Sequence, residues 1–226
     1  LTTKGQLIDL LGIKESKIKV MSHYLDLSNF KRLKDRESLK KKYGLQNKKV
    51  ILSMGFGFYK NLPASLKALN EVKEKFPETI LLKIGDFGEG ENKLIKKLGL
   101  EKNIIEKHNV SEEVLIELIN CSDVFSFPVI YEGFYRPPFE VMSCEVPIIV
   151  PKEPTLMEIK DDGAVLRIDP YSVDELVSGI LSIFENKVNK KDLVRRGKFA
   201  AKDYATFASE SLPKLLKKTY EDISNE

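Results

Sequence analysis

Glu132 and Glu140 frame the part of the sequence whose residue types point most clearly to chemistry. Between them the chain reads Gly133-Phe134-Tyr135-Arg136-Pro137-Pro138-Phe139. A glycine turn that enters a helix at a proline would gather both carboxylates and several free backbone amides, with Glu140 in the first turn of the helix. Such a loop favours a binding site. The alternative is an ordinary helix start, in which Glu140 complements the helix dipole and Glu132 faces solvent.

A second loop carries a lysine in a setting that suits an anion. The string Gly55-Phe56-Gly57-Phe58-Tyr59-Lys60-Asn61 leaves an apolar run and delivers Lys60 to the start of a helical pattern. Backbone amides and a helix N-terminus favour a phosphate, and the lysine would add a mobile charge. The string is neither a Walker loop nor a complete GxGxxG, and residues 85–90 come no closer. Taken alone, a plain turn with a surface lysine is the favoured interpretation.

Both loops leave short apolar runs that alternate with amphipathic stretches. This alternation predicts an α/β fold with a Rossmann-like, doubly wound parallel sheet, whose strands are buried on both faces. Ligands bind outside the carboxyl ends of the strands in such sheets, which is where both loops would lie. The predicted strands are Val50–Met54, Ile80–Ile84, Asn103–Glu106, Val124–Pro128, Ile148–Val150 and Ala164–Ile168.

Helical patterns separate these strands and fill the end of the chain. Gly99 is placed to end one helix, and Ser111 is placed to start another with acidic residues in its first turn. After Ile168 the sequence predicts extra C-terminal helices and no further strand. The predicted helices include Leu62–Phe76, Glu91–Leu98, Val173–Asn186, Lys190–Tyr204 and Ser209–Ser224.

The chain is predicted to have three parts. Residues 1–48 form a lead-in segment, with a short extended piece at Ile18–Met21 and a basic helix that ends near Tyr43. Residues 49–205 form the Rossmann-like domain, and residues 206–226 form a final helix. The length suits one sizeable core.

Composition argues against several classes of protein. There are 37 Lys+Arg against 34 Asp+Glu with no single basic block, which argues against a nucleic-acid-binding protein. Cys121 and Cys144 lack CxxC spacing and a histidine pattern, so we predict reduced core thiols and expect no metal site. Neither a membrane span nor a signal peptide is present in the sequence, which predicts a cytoplasmic protein.

The stretch from Glu132 to Ile149 resembles the glycosyltransferase family 4 enzymes, which have the GT-B fold. Family members carry a Glu-x7-Glu motif in a string like E-G-F-G-x-P-x-x-E-A-M-A-x-G-x-P-V-V, and this chain reads E-G-F-Y-R-P-P-F-E-V-M-S-C-E-V-P-I-I. Lys60 is similar to the family's phosphate lysine, Val110 lies in a loop similar to the one beside the base, and residues 157–163 resemble its Glu-rich loop. The resemblance runs from about Ser22 to the C-terminus and implies the family's C-terminal, donor-binding domain.

The resemblance implies a retaining transferase that takes a sugar from a nucleotide sugar without a metal or another cofactor. Lys60 would pair with the donor diphosphate, while backbone amides of the glycine loop would hold phosphate and sugar hydroxyls. Glu132 would contact the transferred sugar and is the candidate catalytic residue, although a carboxylate that only positions the sugar explains the motif as well. Glu140 would accept hydrogen bonds from the ribose, and Val110 would border the base. The full implied donor site is Lys60, Val110, Glu132, Gly133, Phe134, Tyr135, Arg136 and Glu140.

The sequence also departs from the family string. The family usually has an arginine between the positions of Gly55 and Lys60, and this chain has none there; two of its glycines are replaced by Tyr135 and Glu145. Our hypothesis is that Arg136 supplies the missing guanidinium charge. The alternative is an arginine that faces solvent.

A GT-B enzyme binds its acceptor on an N-terminal domain. The sequence does not identify the acceptor, and a glycan and a lipid-linked glycan are the candidates. The chain begins at Leu1 rather than at a methionine, so we expect that domain to be missing from it and the chain alone to transfer no sugar. The final helix would pack toward the missing domain and leave residues such as Leu216 and Tyr220 partly exposed. The alternative function is a noncatalytic nucleotide-sugar-binding subunit or sensor. A dinucleotide-binding oxidoreductase is disfavoured, because no GxGxxG is followed by an acidic residue at the required spacing.

Overall fold

Six parallel strands form one sheet within residues 2–152, 159 and 162–224, which are the residues that the computed structural model describes. The strand order is β3-β2-β1-β4-β5-β6, and every pair of neighbours is parallel. The predicted Rossmann-like α/β fold is therefore confirmed. The strands are β1 (Lys49–Met54), β2 (Thr79–Ile84), β3 (Ile104–Lys107), β4 (Val124–Ser126), β5 (Ile148–Pro151) and β6 (Leu166–Ile168).

Helices cover both faces of the sheet. They are α1 (Thr2–Leu11), α2 (Arg36–Lys42), α3 (Leu62–Lys75), α4 (Glu89–Leu98), α5 (Glu112–Cys121), α6 (Arg136–Ser143), α7 (Val173–Phe184) and α8 (Lys190–Ser224). Alternate residues of each strand point to opposite faces, so Val50 and Leu52 lie in one apolar cluster with α5, α6 and α8, while Ile51 lies in the other with α3, α4 and α7. This two-sided burial is why the strands are apolar almost throughout.

The local signals for helix ends are confirmed where they were predicted. Gly99 closes α4 with a φ of 63°, and the Ser111 hydroxyl caps α5 by accepting a hydrogen bond from the Val114 amide at 3.3 Å. Strand ends deviate more. β4 stops before Pro128, which has no N–H to donate to a ladder, and β6 starts later than predicted because Asp162–Ala164 form a 3-10 turn.

Helix α1 was not predicted, and one helical prediction is wrong. The two helices predicted at Lys190–Tyr204 and Ser209–Ser224 are the single helix α8. The helix continues through the gap between the two predicted helices, because Ala205 and Ala208 favour helix and Ala208 is buried in the core. The piece at Ile18–Met21 adds no strand to the described sheet.

A buried carboxylate ties the lead-in segment to the sheet. Asp123 accepts hydrogen bonds from Arg36 at 2.6 Å, from Lys40 at 3.1 Å and from the Val50 amide at 2.8 Å. Although burial alone would raise the pKa of Asp123, the two cations hold that pKa below its usual value. The contact locks α2 against the start of β1.

The last turns of α8 leave apolar side chains in solvent. Leu216 is 38% exposed, Tyr220 70% and Ile223 64%. No helix in the described part of the chain is long and apolar enough to cross a membrane.

Candidate functional site

The loop with Lys60 and the loop with Glu132, which follow β1 and β4, meet where the strand order of the sheet reverses. β1 and β4 are neighbours, but the helix that follows β1 packs on one face and the helix that follows β4 packs on the other. Loops that part in this way open a crevice at the carboxyl edge, which is the usual ligand position in such sheets. The Ile130 amide donates to the Tyr59 carbonyl at 2.8 Å and joins the two loops.

The loop after β1 is a tight turn that places Lys60 at the crevice. Gly55 and Gly57 have φ values of 96° and 110°, which glycine adopts without strain. The amides of Phe56 and Gly57 donate no hydrogen bond to any residue in the described ranges. The turn therefore offers free N–H groups beside a lysine, as an anion site requires.

Lys60 forms an ion pair with Glu132 across the crevice. The lysine side chain is only 9% exposed and the glutamate 25%. The ammonium also lies 5.1 Å from the ring centre of Tyr59 and 5.2 Å from that of Phe127, within cation–π range. Lys60 and Glu132, which were predicted from separate loops, are thus in contact, and each neutralises the charge of the other.

The loop from Glu132 to Tyr135 presents backbone rather than side chains. Gly133 has open space where a side chain would begin, and neither its amide nor that of Phe134 donates to a residue that the structure describes. The Phe134 ring stacks on His23 with ring centres 4.5 Å apart. The Tyr135 side chain is buried against Phe127, so this departure from the family glycine serves core packing.

Glu140 does not lie where it was predicted. Helix α6 begins at Arg136, so Glu140 falls in the second turn and the first turn contains no acidic residue. The prediction was wrong because Pro137 was taken as the entry, whereas Pro at the second helical position is equally compatible with helix geometry. Burial raises the pKa of Glu140, nearby Glu112 raises it further, and Arg136 opposes the shift.

Arg136 lies beside this glutamate. The Arg136 side chain is 60% exposed and its Nε lies 3.7 Å from Glu140 Oε1, whereas the ion-pair partner of Lys60 is Glu132. Val110 precedes the cap of α5, whose first residue is Glu112, and packs partly against the core. A cavity of 530 Å³ opens beside the loop, between Arg136 and Gly133 on one side and α1 on the other.

The buried lysine Lys83 was not predicted. Lys83 is completely buried near the end of β2, and its ammonium donates to the Gly55 carbonyl and, at 3.0 Å, to the Ile84 carbonyl. A lysine inside the apolar run Ile80–Ile84 was the signal that could have revealed it. Most of the Glu-rich segment at residues 157–163 lies outside the described residues. Within the described ranges no group of three or more His, Cys, Asp or Glu is arranged to hold a metal ion.

Residues 35–202 match the family of group 1 glycosyl transferases. The chain belongs to this family. This group 1 glycosyl transferase is 24% identical over 183 residues to the O-antigen chain mannosyltransferase RfbU of Salmonella typhimurium. The aligned residues cover 80% of this chain and 48% of that protein. It is also 25% identical over 195 residues to the serotype-specific mannosyltransferase WbdA of Escherichia coli. That alignment covers 82% of this chain and 24% of that protein.

Solved structures share the fold of this group 1 glycosyl transferase. A glycosyltransferase from Rickettsia africae ESF-5 superposes with a TM-score of 0.76 at 22% identity, over 97% of this chain and 60% of that one. HepE from Anabaena, crystallised with UDP-glucose, superposes with a TM-score of 0.76 at 20% identity, over 99% of this chain and 62% of that one. The chain thus spans about half or less of the curated relatives and about three-fifths of these structures.

Proposed function

We propose that this chain is the donor-binding half of a retaining family 4 glycosyltransferase, which moves a sugar from a nucleotide sugar to an acceptor held by a preceding domain. The observation that carries the proposal is the Lys60–Glu132 ion pair at the point where the strand order reverses. A cation for a diphosphate and a carboxylate for sugar hydroxyls lie in contact there, beside unoccupied backbone amides.

In this proposal the ion pair opens when the donor binds. Lys60 turns to the diphosphate, together with the free amides of Phe56 and Gly57, and Glu132 turns to the hydroxyls of the sugar. As the bond to the sugar breaks, negative charge grows on the leaving diphosphate, and the ammonium and the preorganised amides stabilise that charge. Lysines and backbone dipoles supply this stabilisation, so we propose that the reaction needs no metal.

The rest of the donor would extend along the loop to α6. Gly133 and Phe134 offer backbone amides and open space for the sugar. Glu140, whose raised pKa reflects its burial, would accept hydrogen bonds from ribose hydroxyls, and Val110 would border the base. HepE was crystallised with UDP-glucose and the curated relatives are named mannosyltransferases, so both UDP-glucose and a mannosyl nucleotide are donors to test first.

The binding half of the proposal is tested by titrating nucleotide sugars into the chain. Calorimetry with GDP-mannose, UDP-glucose and ADP-glucose should show binding of at least one, and Lys60→Met should weaken that binding at least tenfold, a loss typical of a charge-assisted contact. Lys107→Met is the control, because Lys107 ends β3 at the same edge of the sheet and its substitution removes an equal charge. Failure of all three donors to bind would contradict the proposal.

A noncatalytic nucleotide-sugar-binding subunit predicts the same titrations. A transferase and a noncatalytic subunit differ in whether the protein from the complete reading frame transfers a sugar. We expect the chain alone to transfer no sugar, and the protein translated with its preceding segment to transfer one to a glycan or lipid-linked glycan acceptor. Transfer by the isolated chain would refute the division of labour that we propose.

A further inference from the structure

Lys83 has no part in the donor contacts described above, yet its burial is expensive. The side chain is fully buried in the sheet, and in the described part of the chain its ammonium forms no salt bridge. It donates hydrogen bonds to two backbone carbonyls and lies 5.7 Å from the ring centre of Phe87. An ammonium taken out of water without a carboxylate partner loses much hydration energy. A buried and incompletely compensated charge at the carboxyl edge of such a sheet points to a functional role.

The position of Lys83 relative to Gly55 shows what this role can be. Lys83 donates to the Gly55 carbonyl from beneath the turn. The Lys60 side chain passes close to the same residue, where a Cβ on Gly55 would lie 2.7 Å from Lys60 Cε and 3.5 Å from Lys60 Nζ. Two lysine side chains therefore lie against one glycine, at the turn that exposes the amides of Phe56 and Gly57.

A nucleoside diphosphate carries at least two negative charges, whereas Lys60 supplies one positive charge and must first leave Glu132. Resting on the function proposed above, we propose that Lys83 is a positioning residue of the diphosphate site, which fixes the Gly55 turn and supplies a second positive charge from beneath it. Arg136, the guanidinium that the sequence suggested for this task, lies beside Glu140 instead.

The proposal has a measurable consequence for protons. Burial lowers the pKa of Lys83 to about 8, with Lys60 lowering it further and the carboxylates of Asp86, Glu106 and Glu91 opposing the shift. A diphosphate placed above the turn favours the charged ammonium and raises that pKa. Binding at pH 8 must then take up a proton, and affinity must fall by up to about tenfold per pH unit above the pKa of the free chain.

The groups that face Lys83 include an imidazole. His108 lies 2.7 Å from Asp86 and 3.6 Å from Glu106, two of the carboxylates that act on Lys83. The terminal phosphate of a nucleoside diphosphate titrates near pH 6. At pH 8, roughly two units above that value, Lys83 is the group beside the turn that is expected to exchange a proton.

The experiment is calorimetric titration of GDP, UDP and ADP into the full chain, repeated at pH 8 in buffers with different ionisation enthalpies. We expect uptake of about half a proton per nucleotide at pH 8, since about half of the lysine is neutral before binding. Lys83→Met should bind about tenfold more weakly at pH 7 and take up no proton. Lys83→Arg should bind without proton uptake, because a guanidinium does not titrate in this range.

Lys107→Met serves as the matched control and should keep the wild-type proton uptake. Circular dichroism of each variant shows whether it is folded, and proton uptake by the wild-type chain tests the inference even if Lys83→Met does not fold. Binding of GDP, UDP or ADP without proton uptake, or uptake that persists in a folded Lys83→Met, would overturn the role of Lys83 while the donor-binding function stands. Absence of binding by the wild-type chain would overturn the proposed function, and this inference with it.

Discussion

Glu132→Gln should make the chain bind a nucleoside diphosphate more tightly. In the free chain Lys60 is held by Glu132, so a diphosphate must displace the carboxylate before it can use the ammonium. Glutamine has nearly the same shape but no charge, and it also removes the repulsion between a carboxylate and the incoming phosphates. The variant therefore relieves two costs of binding at once.

The size of the effect follows from the burial of the pair. A hydrogen bond between charged groups contributes about 1.5–3 kcal/mol net. Lys60 is 9% exposed, but Glu132 is 25% exposed and retains some hydration, which places the pair at the low end. A gain of about 1.5 kcal/mol corresponds to an affinity about tenfold higher. A nucleotide sugar should gain less, because its sugar loses a carboxylate partner in the variant.

Calorimetry at pH 7 with GDP and GDP-mannose, and with UDP and UDP-glucose, measures both effects. The ratio of the affinity for the nucleotide sugar to that for the nucleoside diphosphate should fall in Glu132→Gln. Glu89→Gln is the control, since Glu89 begins α4 at the same edge of the sheet but is paired with Lys93. Weaker binding of the nucleoside diphosphate by Glu132→Gln, or an equal gain in Glu89→Gln, would refute the reasoning.

Three further predictions concern stability, thiols and metals. Asp123→Asn should lower the free energy of unfolding in urea at pH 7 by about 3 kcal/mol, because the buried ammonium of Lys40 and the partly buried guanidinium of Arg36 lose their carboxylate. Since the folded pKa of Asp123 is lowered, its contribution is present above pH about 4 and lost as the pH falls through the folded pKa. The control is Asp192→Asn, which likewise removes a carboxylate paired with two cations, in this case two arginines on the surface of α8. It should shift the urea midpoint far less. Cys121 and Cys144 should resist a thiol reagent at pH 8 until urea unfolds the chain, because burial raises their pKa to about 11 and about 12. Excess EDTA should leave nucleotide-sugar affinity unchanged, and a loss restored by Mg²⁺ would refute the metal-free proposal.

The sheet was predictable because its physics is local to each strand. A parallel strand covered on both faces must be apolar, so short runs such as Ile80–Ile84 identify the strands from sequence alone. Helix α1 was not predictable in the same way, because Gly5 and two threonines give Thr2–Leu11 a low helix propensity. Contacts with distant residues hold it, including the hydrogen bond from Tyr131 to Gln6 at 2.9 Å.

The site was predictable residue by residue but not as an arrangement. Residue type and loop position predicted Lys60 and Glu132 as members of one edge of the sheet. Sequence does not give the distance between loops that leave different strands, so their ion pair could not be foreseen. Lys83 was missed for a different reason: inside a strand pattern it was treated as part of an apolar run, whereas a lysine at a buried position signals a specific charge.

The absence of the family arginine from the loop after β1 need not mean that the diphosphate site is lost. An exposed guanidinium stays charged at any physiological pH, and its charge is available before the ligand arrives. A buried lysine such as Lys83 holds its proton less firmly, and a bound diphosphate would stabilise that proton. The same positive charge can therefore come from the interior of the sheet, at the cost of a pH-dependent affinity. On this reasoning the change between Gly55 and Lys60 alters where the positive charge is stored, and proton uptake on binding is the property that distinguishes such a site from one built on arginine.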